Sequence, residues 1–407
     1  MTADGHSPSP TAPNAPGAAP GARAETIEWI ERLVRIDTTS RKSNLGLIET
    51  VRDHLAGAGF ASTLTYDAPR GKANLFATVP DANGGTQGGV ALSGHTDVVP
   101  VDGQKWSTDP FAPVIQDGKM YGRGTCDMKG FIGTAIALLP RMKGAKLKKP
   151  IHFALSYDEE LGCIGAPVML DDLKARGIHP DGCVVGEPTS MRVVVANKGI
   201  HCYKCKVHGH AAHSSLTPAG INAIEYAARL IVHIREIVDE LRAKGPYDQA
   251  FDVPFTTGQT GLIKGGVAAN VIPALCEFEF EFRNLPGVDG TALFNRVEAF
   301  AREKLVPQMK KERSEGDIVF EKVAISPALE AHEEAEMTKL VRALTRDTAT
   351  KKVAYATEAG IFQNAGISAV LCGPGDIEQA HKPNEFVALD QIARCEDFLT
   401  KLIDSLT

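Results

Sequence analysis

Long apolar runs are missing from this 407-residue sequence, and no stretch of it is long enough to span a membrane. Its first residues lack the basic start and apolar core of a signal peptide, so a cytoplasmic protein with no membrane partner is expected. A strong excess of one sign of charge is missing too. Lys and Arg total 44 against 50 Asp and Glu, a net charge of −6, which argues against nucleic acid as a partner. The basic runs KLKK (146–149) and KKER (310–313) are short and read as solvated surface. Eight scattered cysteines point to reduced thiols, not a disulfide framework. One CxxC, Cys202 and Cys205, has no second pair to complete a zinc site. Positions three apart on a strand face opposite ways, so two ordinary strand cysteines are expected there.

What the chain does have is length, enough for two domains, and 43% hydrophobic residues with 23% charged, the balance of a globular protein. Residues 1–22, mostly Ala, Pro, Gly, Ser and Thr, read as a disordered tail. Beyond them helical periodicity at 24–36, 45–57, 128–142 and 166–176 alternates with strand-like runs at 73–79, 90–92, 151–156 and 182–185. That alternation predicts an α/β fold: a mostly parallel sheet with helices on both faces. The pattern changes at 198–325, where strands at 199–207, 257–264, 275–282 and 318–323 and helices at 221–243 and 293–310 follow the order βαββαβ. Helix and strand alternate again over 326–407, ending in a strand at 369–372 and a helix at 390–405. A catalytic domain built from 23–197 and 326–407 is therefore expected, interrupted by a smaller α+β insert.

The stretch SGHTDVVP (93–100) follows a small apolar run and places His95 and Asp97 at a strand's carboxyl end. Similar groups stand past other predicted strands: Asp127 in GRGTCDMKG, Glu159 and Glu160 in SYDEELG, Glu187 in VGEPTS and His381 in GPGDIEQAHKPNE. In a parallel sheet such ends line one crevice, so distant residues can meet there. Each has a bland alternative: Asp127 as a helix cap, the paired glutamates as a solvated turn, Glu187 as a loop charge, His381 as a surface histidine. Their recurrence at matching strand ends favours a common site.

Oxygen and imidazole donors without thiolate suit zinc, or cobalt or manganese in its place. Two divalent ions against the carboxylates of Asp127, Glu160 and Glu187 leave one positive charge, which a bridging hydroxide cancels. Hydrolytic metal pairs commonly sit about 3.5–4 Å apart in such a bridge. Asp97 is then free to accept the other N–H of His95, and Glu159 to move a proton between water and a leaving amine.

As a set, SGHTDVVP, GRGTCDMKG, DEELG, GEPT and AHKPNE resemble the motifs of the two-zinc amidohydrolase family. That family includes acetylornithine deacetylases, succinyl-diaminopimelate desuccinylases, aminoacylases and glutamate carboxypeptidases. The resemblance implies that His95, Asp127, Glu160, Glu187 and His381 bind the metals, with Asp127 bridging. It also implies that Asp97 orients a histidine, that Glu159 is the general base, and that the insert is a lid used in dimerisation. GEPTS with NKG, YDQAFDVPFTT, YATEAGIFQNAG and LCGPGDIEQAHKPNE most resemble the acetylornithine deacetylases, which implies release of acetate from N2-acetyl-L-ornithine in arginine biosynthesis. A broader N-acyl-amino-acid hydrolase and a desuccinylase remain the alternatives. A non-catalytic ligand-binding relative would have lost Glu159 or a metal ligand, and none is lost.

By the same resemblance His213 reaches the neighbouring subunit's site in a homodimer and donates to the oxyanion, while Asn270 and Arg283 meet the substrate. An exposed charge ending a strand is the plain alternative for Arg283. The HGHAAHSS stretch adds His208 and His210, which are expected to share a strand face without a nearby carboxylate and to bind no third metal.

Overall fold

The computed structural model describes residues 21–407, so the expected tail lies outside the described residues but for its last two positions. Every residue of the strand Val90–His95 is buried. The strand is sandwiched: Leu92 belongs to the buried apolar cluster that includes Phe131, Ile132 and Phe398, while Ala91 belongs to a second cluster with Met169, Leu173 and Phe362. A strand covered on both faces shows no polar alternation, which is why its sequence is a plain apolar run.

Among the described residues this strand belongs to a nine-stranded sheet. Ile151–Ser156, Val90–His95, Gly182–Val185 and Ser368–Leu371 are successive parallel neighbours at its centre. One flank is antiparallel, with Ser62–Tyr66 on Ala73–Val79 and the latter on Ile151–Ser156, while the other mixes antiparallel pairs with the parallel pairing of Lys351–Val353 on Val194–Asn197. The four parallel strands end at one edge, so the segments after them open into a single crevice.

Two expected helices are interrupted. The one over 128–142 is split into Lys129–Ala137 and Leu139–Gly144, with Pro140 in the first turn of the second piece, where its missing N–H does no harm. The one over 293–310 becomes Gly290–Phe300, a wide turn at Ala301–Leu305 and Val306–Glu312, again with a proline, Pro307, at the restart. A small three-stranded sheet of Val114–Gln116, Lys119–Tyr121 and Phe386–Ala388 was not foreseen, its strands being too short to show periodicity.

The insert has its own four-stranded antiparallel sheet, in the order Thr257–Gly265, Leu275–Asn284, Gly199–His208, Asp317–Ser326. FEFEFR sets its two faces. Phe278, Phe280 and Phe282 are buried with Leu230, Ile234 and Val297 of the covering helices, while Glu279, Glu281 and Arg283 point to the other face. Cys202 is half-buried and Cys205 buried, as alternation requires, and all eight cysteines are free. The long helix Ala223–Lys244 starts under the side chain of Asn222, which accepts from the N–H groups of Ile224 and Glu225. None of the described helices is long and apolar enough to cross a membrane.

Candidate active site

His95, Asp127, Glu160, Glu187 and His381 converge at the strand ends. His95 Nε2 lies 2.9 Å from Asp127 Oδ1 and 3.9 Å from Glu187 Oε1. His381 Nε2 lies 3.2 Å from Asp127 Oδ2 and 3.1 Å from Glu160 Oε2. Two donor sets thus share Asp127, one carboxylate oxygen to each. Asp127 is not a helix cap: the helix after it has Met128 as N-cap, and both Asp127 oxygens face imidazoles.

Glycine makes one of these approaches feasible. A Cβ at Gly186 would sit 2.0 Å from Cγ of Phe131, so only glycine lets the chain pass that ring and present Glu187 to His95.

Around Asp97 the structure departs from expectation. The nearest partner of His95 Nδ1 is the Asp97 main-chain carbonyl at 3.0 Å; the carboxylate, at 3.6 Å, is beyond a good hydrogen bond. That carboxylate instead accepts from Ser40 Oγ at 2.8 Å and from the N–H groups of Glu159 at 3.1 Å and Glu160 at 3.3 Å. Asp97 therefore holds the turn that carries both glutamates. Glu159 Oε1 also accepts from the Cys163 thiol at 3.4 Å.

Arg283 lines the same cleft, of about 480 Å³, with Ile200, Tyr355 and Ile377. Glu281 Oε2 engages one edge of its guanidinium, at 3.1 Å from both Nε and Nη2. His213 and Asn270 do not line this cleft. They lie together on the exposed side of the insert, where Ser214 N–H donates to the Asn270 carbonyl and His213 Nδ1 is 2.7 Å from Ser215 Oγ. The expectation that His208 and His210 share a strand face without a nearby carboxylate needs correcting in both respects. The strand ends at His208, and His210 has a carboxylate beside it, Glu315 at 2.9 Å.

Two buried glutamates escaped the sequence reading. Glu358, 0% exposed, accepts from Ser156 Oγ at 2.7 Å and from Ser93, just behind His95. Glu385 accepts from three main-chain N–H groups, Asp127's among them. Both stand inside motifs already singled out, TEAG and AHKPNE, but a carboxylate's depth is not written in its neighbours along the chain.

The donor set fits a pair of divalent cations. Donor atoms of His95, Asp127 and Glu160 lie within 4.8 Å of one another, and Glu187 Oε1 is buried with no hydrogen-bond partner. An orphaned buried carboxylate oxygen is costly unless a cation uses it. The proton affinities agree. Hydrogen bonds to Asp127 and Glu160 push His381 up to about 10. His95 is also raised, its burial outweighed by the hydrogen bond to Asp127 and by the nearby Asp97 carboxylate. Burial pushes Glu159 up to about 8, opposed by the His95 charge and reinforced by Glu160 and Asp127.

Metal ligation requires neutral imidazoles, so cations must displace the protons of His95 and His381. Binding of a divalent pair near neutral pH is expected to release protons, those of His95 and His381 among them, with affinity rising as pH rises. Calorimetric titrations in buffers of different ionisation enthalpy measure this; a binding heat independent of buffer would contradict it.

Residues 91–405 match the model of peptidase family M20/M25/M40. The chain is 36% identical over 369 residues to an acetylornithine deacetylase of Pasteurella multocida, covering 90% of this chain and 93% of that protein. Among solved structures, an M20 family metallo-carboxypeptidase of Sulfolobus solfataricus superposes with a TM-score of 0.70 at 18% identity, over 94% of this chain and all of that one. Human carnosine dipeptidase 1 gives 0.68 at 19%, over 93% and 96% of the two chains. At such identities these two likenesses speak for the fold alone. The family match and the deacetylase relative carry the assignment: the chain belongs to peptidase family M20/M25/M40 and is a hydrolase.

Proposed function

We propose that this protein is a cytoplasmic two-zinc amide hydrolase, with cobalt able to replace zinc, that cleaves N2-acetyl-L-ornithine to L-ornithine and acetate and so serves arginine biosynthesis. The observation that carries the substrate is the likeness to the Pasteurella deacetylase over nine-tenths of this chain. His95, Asp127 and Glu187 would hold one cation, and His381, Glu160 and the second oxygen of Asp127 the other. Cations held there polarise the acyl carbonyl and lower the pKa of water. Arg283 offers the free edge of its fork to the substrate α-carboxylate, Glu281 fixing the other edge. Glu159 takes the proton from the attacking water and passes it to the departing amine, which leaves neutral.

One observation favours a second reading, a broader N-acyl-amino-acid hydrolase. Apart from the carboxylates around the histidines, no acidic side chain among the described residues lines the cleft, whose remaining walls include Ile200, Tyr355, Ile377 and Ala380. A substrate ammonium would find no dedicated partner on those walls. Steady-state rates on acetylornithine, acetylmethionine and succinyl-diaminopimelate separate the readings. The ornithine assignment expects kcat/KM on acetylornithine to be at least about tenfold higher than on the others, equivalent to about 1.4 kcal/mol of transition-state discrimination. Comparable rates on acetylmethionine would favour the broader enzyme.

The adjacent glutamates make a sharper test. Glu159→Ala should abolish turnover and leave bound metal near the wild-type level, whereas Glu160→Ala should lower the metal content as well. Elemental analysis beside activity decides it, and metal loss from the first variant alone would reverse the roles.

His213 and Asn270 enter through a homodimer in this reading. They are exposed and absent from their own chain's cleft, and Leu262 and Ile263 on the edge strand Thr257–Gly265 are 65% and 58% exposed. An apolar sheet edge invites a second copy, whose His213 would then donate to the oxyanion in this cleft. Mixing inactive His213→Ala and Glu159→Ala subunits should restore up to about one quarter of wild-type activity, since half of randomly paired dimers are mixed and each has one intact site. No recovery after proven subunit exchange would confine His213 to its own chain.

A further inference from the structure

The cation-binding groups are not equally well held. His95 and Glu187, 1% and 4% exposed, stand at the ends of central strands. His381 stands on a loop with its side chain 53% exposed and its φ at +61°, in the left-handed region that an ordinary residue enters only when its surroundings hold it there.

What holds it is traceable. Glu385, four positions along and 1% exposed, directs Oε1 at the N–H groups of Gly124 at 3.0 Å, Cys126 at 2.9 Å and Asp127 at 3.1 Å. Its Oε2 receives Nη1 of Arg123 at 2.6 Å, and Arg123 is likewise 1% exposed. The guanidinium reaches the other loop as well. Its Nη2 donates to Gln104 Oε1 at 2.7 Å, and Gln104 Nε2 donates to the main-chain carbonyl of His381 at 3.0 Å. The Trp106 indole donates to the same Gln104 oxygen at 3.0 Å, and its ring lies 5.1 Å from the Arg123 guanidinium carbon.

A chain of hydrogen bonds therefore runs from the backbone of Asp127 to the backbone of His381, with a buried ion pair at its centre. Burying two charges is expensive unless their remaining donors and acceptors are satisfied; here the carboxylate has four donors, while Arg123 bonds through Nη1 and Nη2 and leaves Nε buried without a partner. A pair that only pinned the fold could end anywhere. This one ends on the two residues that face each other across the His381–Glu160 half of the centre.

We propose that Arg123 and Glu385 are positioning residues that fix Asp127 and His381 relative to each other and so set the cation affinity of the His381–Glu160 half, more strongly than that of the half at His95 and Glu187, which shares only Asp127 with it. The proposal rests on the two-cation reading above. Loss of a group that orients a metal ligand typically weakens binding about 10- to 100-fold. Glu385→Gln keeps the size and one acceptor but removes the charge and leaves Arg123 buried without a counterion. Gln104→Leu, on the half-buried rim, cuts the link between Arg123 and His381 and spares the ion pair.

The test dialyses the full chain to equilibrium against buffers of graded free Zn²⁺ and measures bound metal by elemental analysis, with melting curves as a control on folding. Wild type should fill in two steps. In both variants the tighter step should stay within about threefold, while the weaker step shifts about 10- to 100-fold to higher zinc for Glu385→Gln and by a smaller factor for Gln104→Leu. If Glu385→Gln does not fold, Gln104→Leu decides. Variant curves that overlay the wild type, or two steps that weaken alike, overturn the positioning role and leave the two-cation reading standing. Wild type that takes up fewer than two equivalents at saturation overturns both.

Discussion

Mutual repulsion among buried carboxylates is the constraint around which this molecule is arranged. Asp97, Asp127, Glu159, Glu160 and Glu187 crowd one crevice, with Glu358 directly behind. Burial and like charges this close raise the proton affinity of Glu159, Glu160, Glu187 and Glu358, whereas hydrogen bonds and the imidazoles hold Asp97 and Asp127 below the usual carboxylate range. Each is restrained differently. Asp127 lies between two imidazoles, Asp97 takes a hydroxyl and two main-chain N–H groups, and Glu358 takes two serines. Glu187 alone keeps a buried oxygen without a hydrogen-bond partner, the clearest sign that a cation belongs there.

The fold divides the work between a stiff base and an insert that approaches it. Four parallel strands present groups whose spacing cannot drift, because helices pack both faces of the sheet. The insert contributes Arg283 and touches the turn that carries the paired glutamates. A Cβ at Gly162 would lie 2.2 Å from that of Ala324 on the insert's last strand, and the glycine's φ of +110° suits no other residue. The contact joins the glutamate turn to the inserted unit that also carries the cleft-lining Arg283.

Conventional notions of conservative change serve poorly in such a site. Glu159 and Glu160 are neighbours of the same type, yet one meets a thiol and the other an imidazole. Arg283 is held by one edge, a task for a planar fork that an ammonium cannot perform. Gly186 carries no functional group, yet it admits Glu187 past an aromatic ring.

By itself the sequence determined the layered plan and the identity of the converging groups. Strand and helix periods are local properties, and polar residues at the end of an apolar run are conspicuous because burial there is costly. The phenylalanines of FEFEFR announce their face of the insert's sheet for the same reason. Tertiary structure alone decided how the groups are held. The main-chain carbonyl of Asp97, not its carboxylate, meets His95, and the carboxylate serves the glutamate turn. Glu385 accepts from Cys126 across 259 positions of chain, and Ser93 meets Glu358 across 265. Electrostatic and hydrogen-bond energies depend on distance through space and on local exclusion of water. Neither quantity exists until the chain has folded, and no local pattern of residues encodes it.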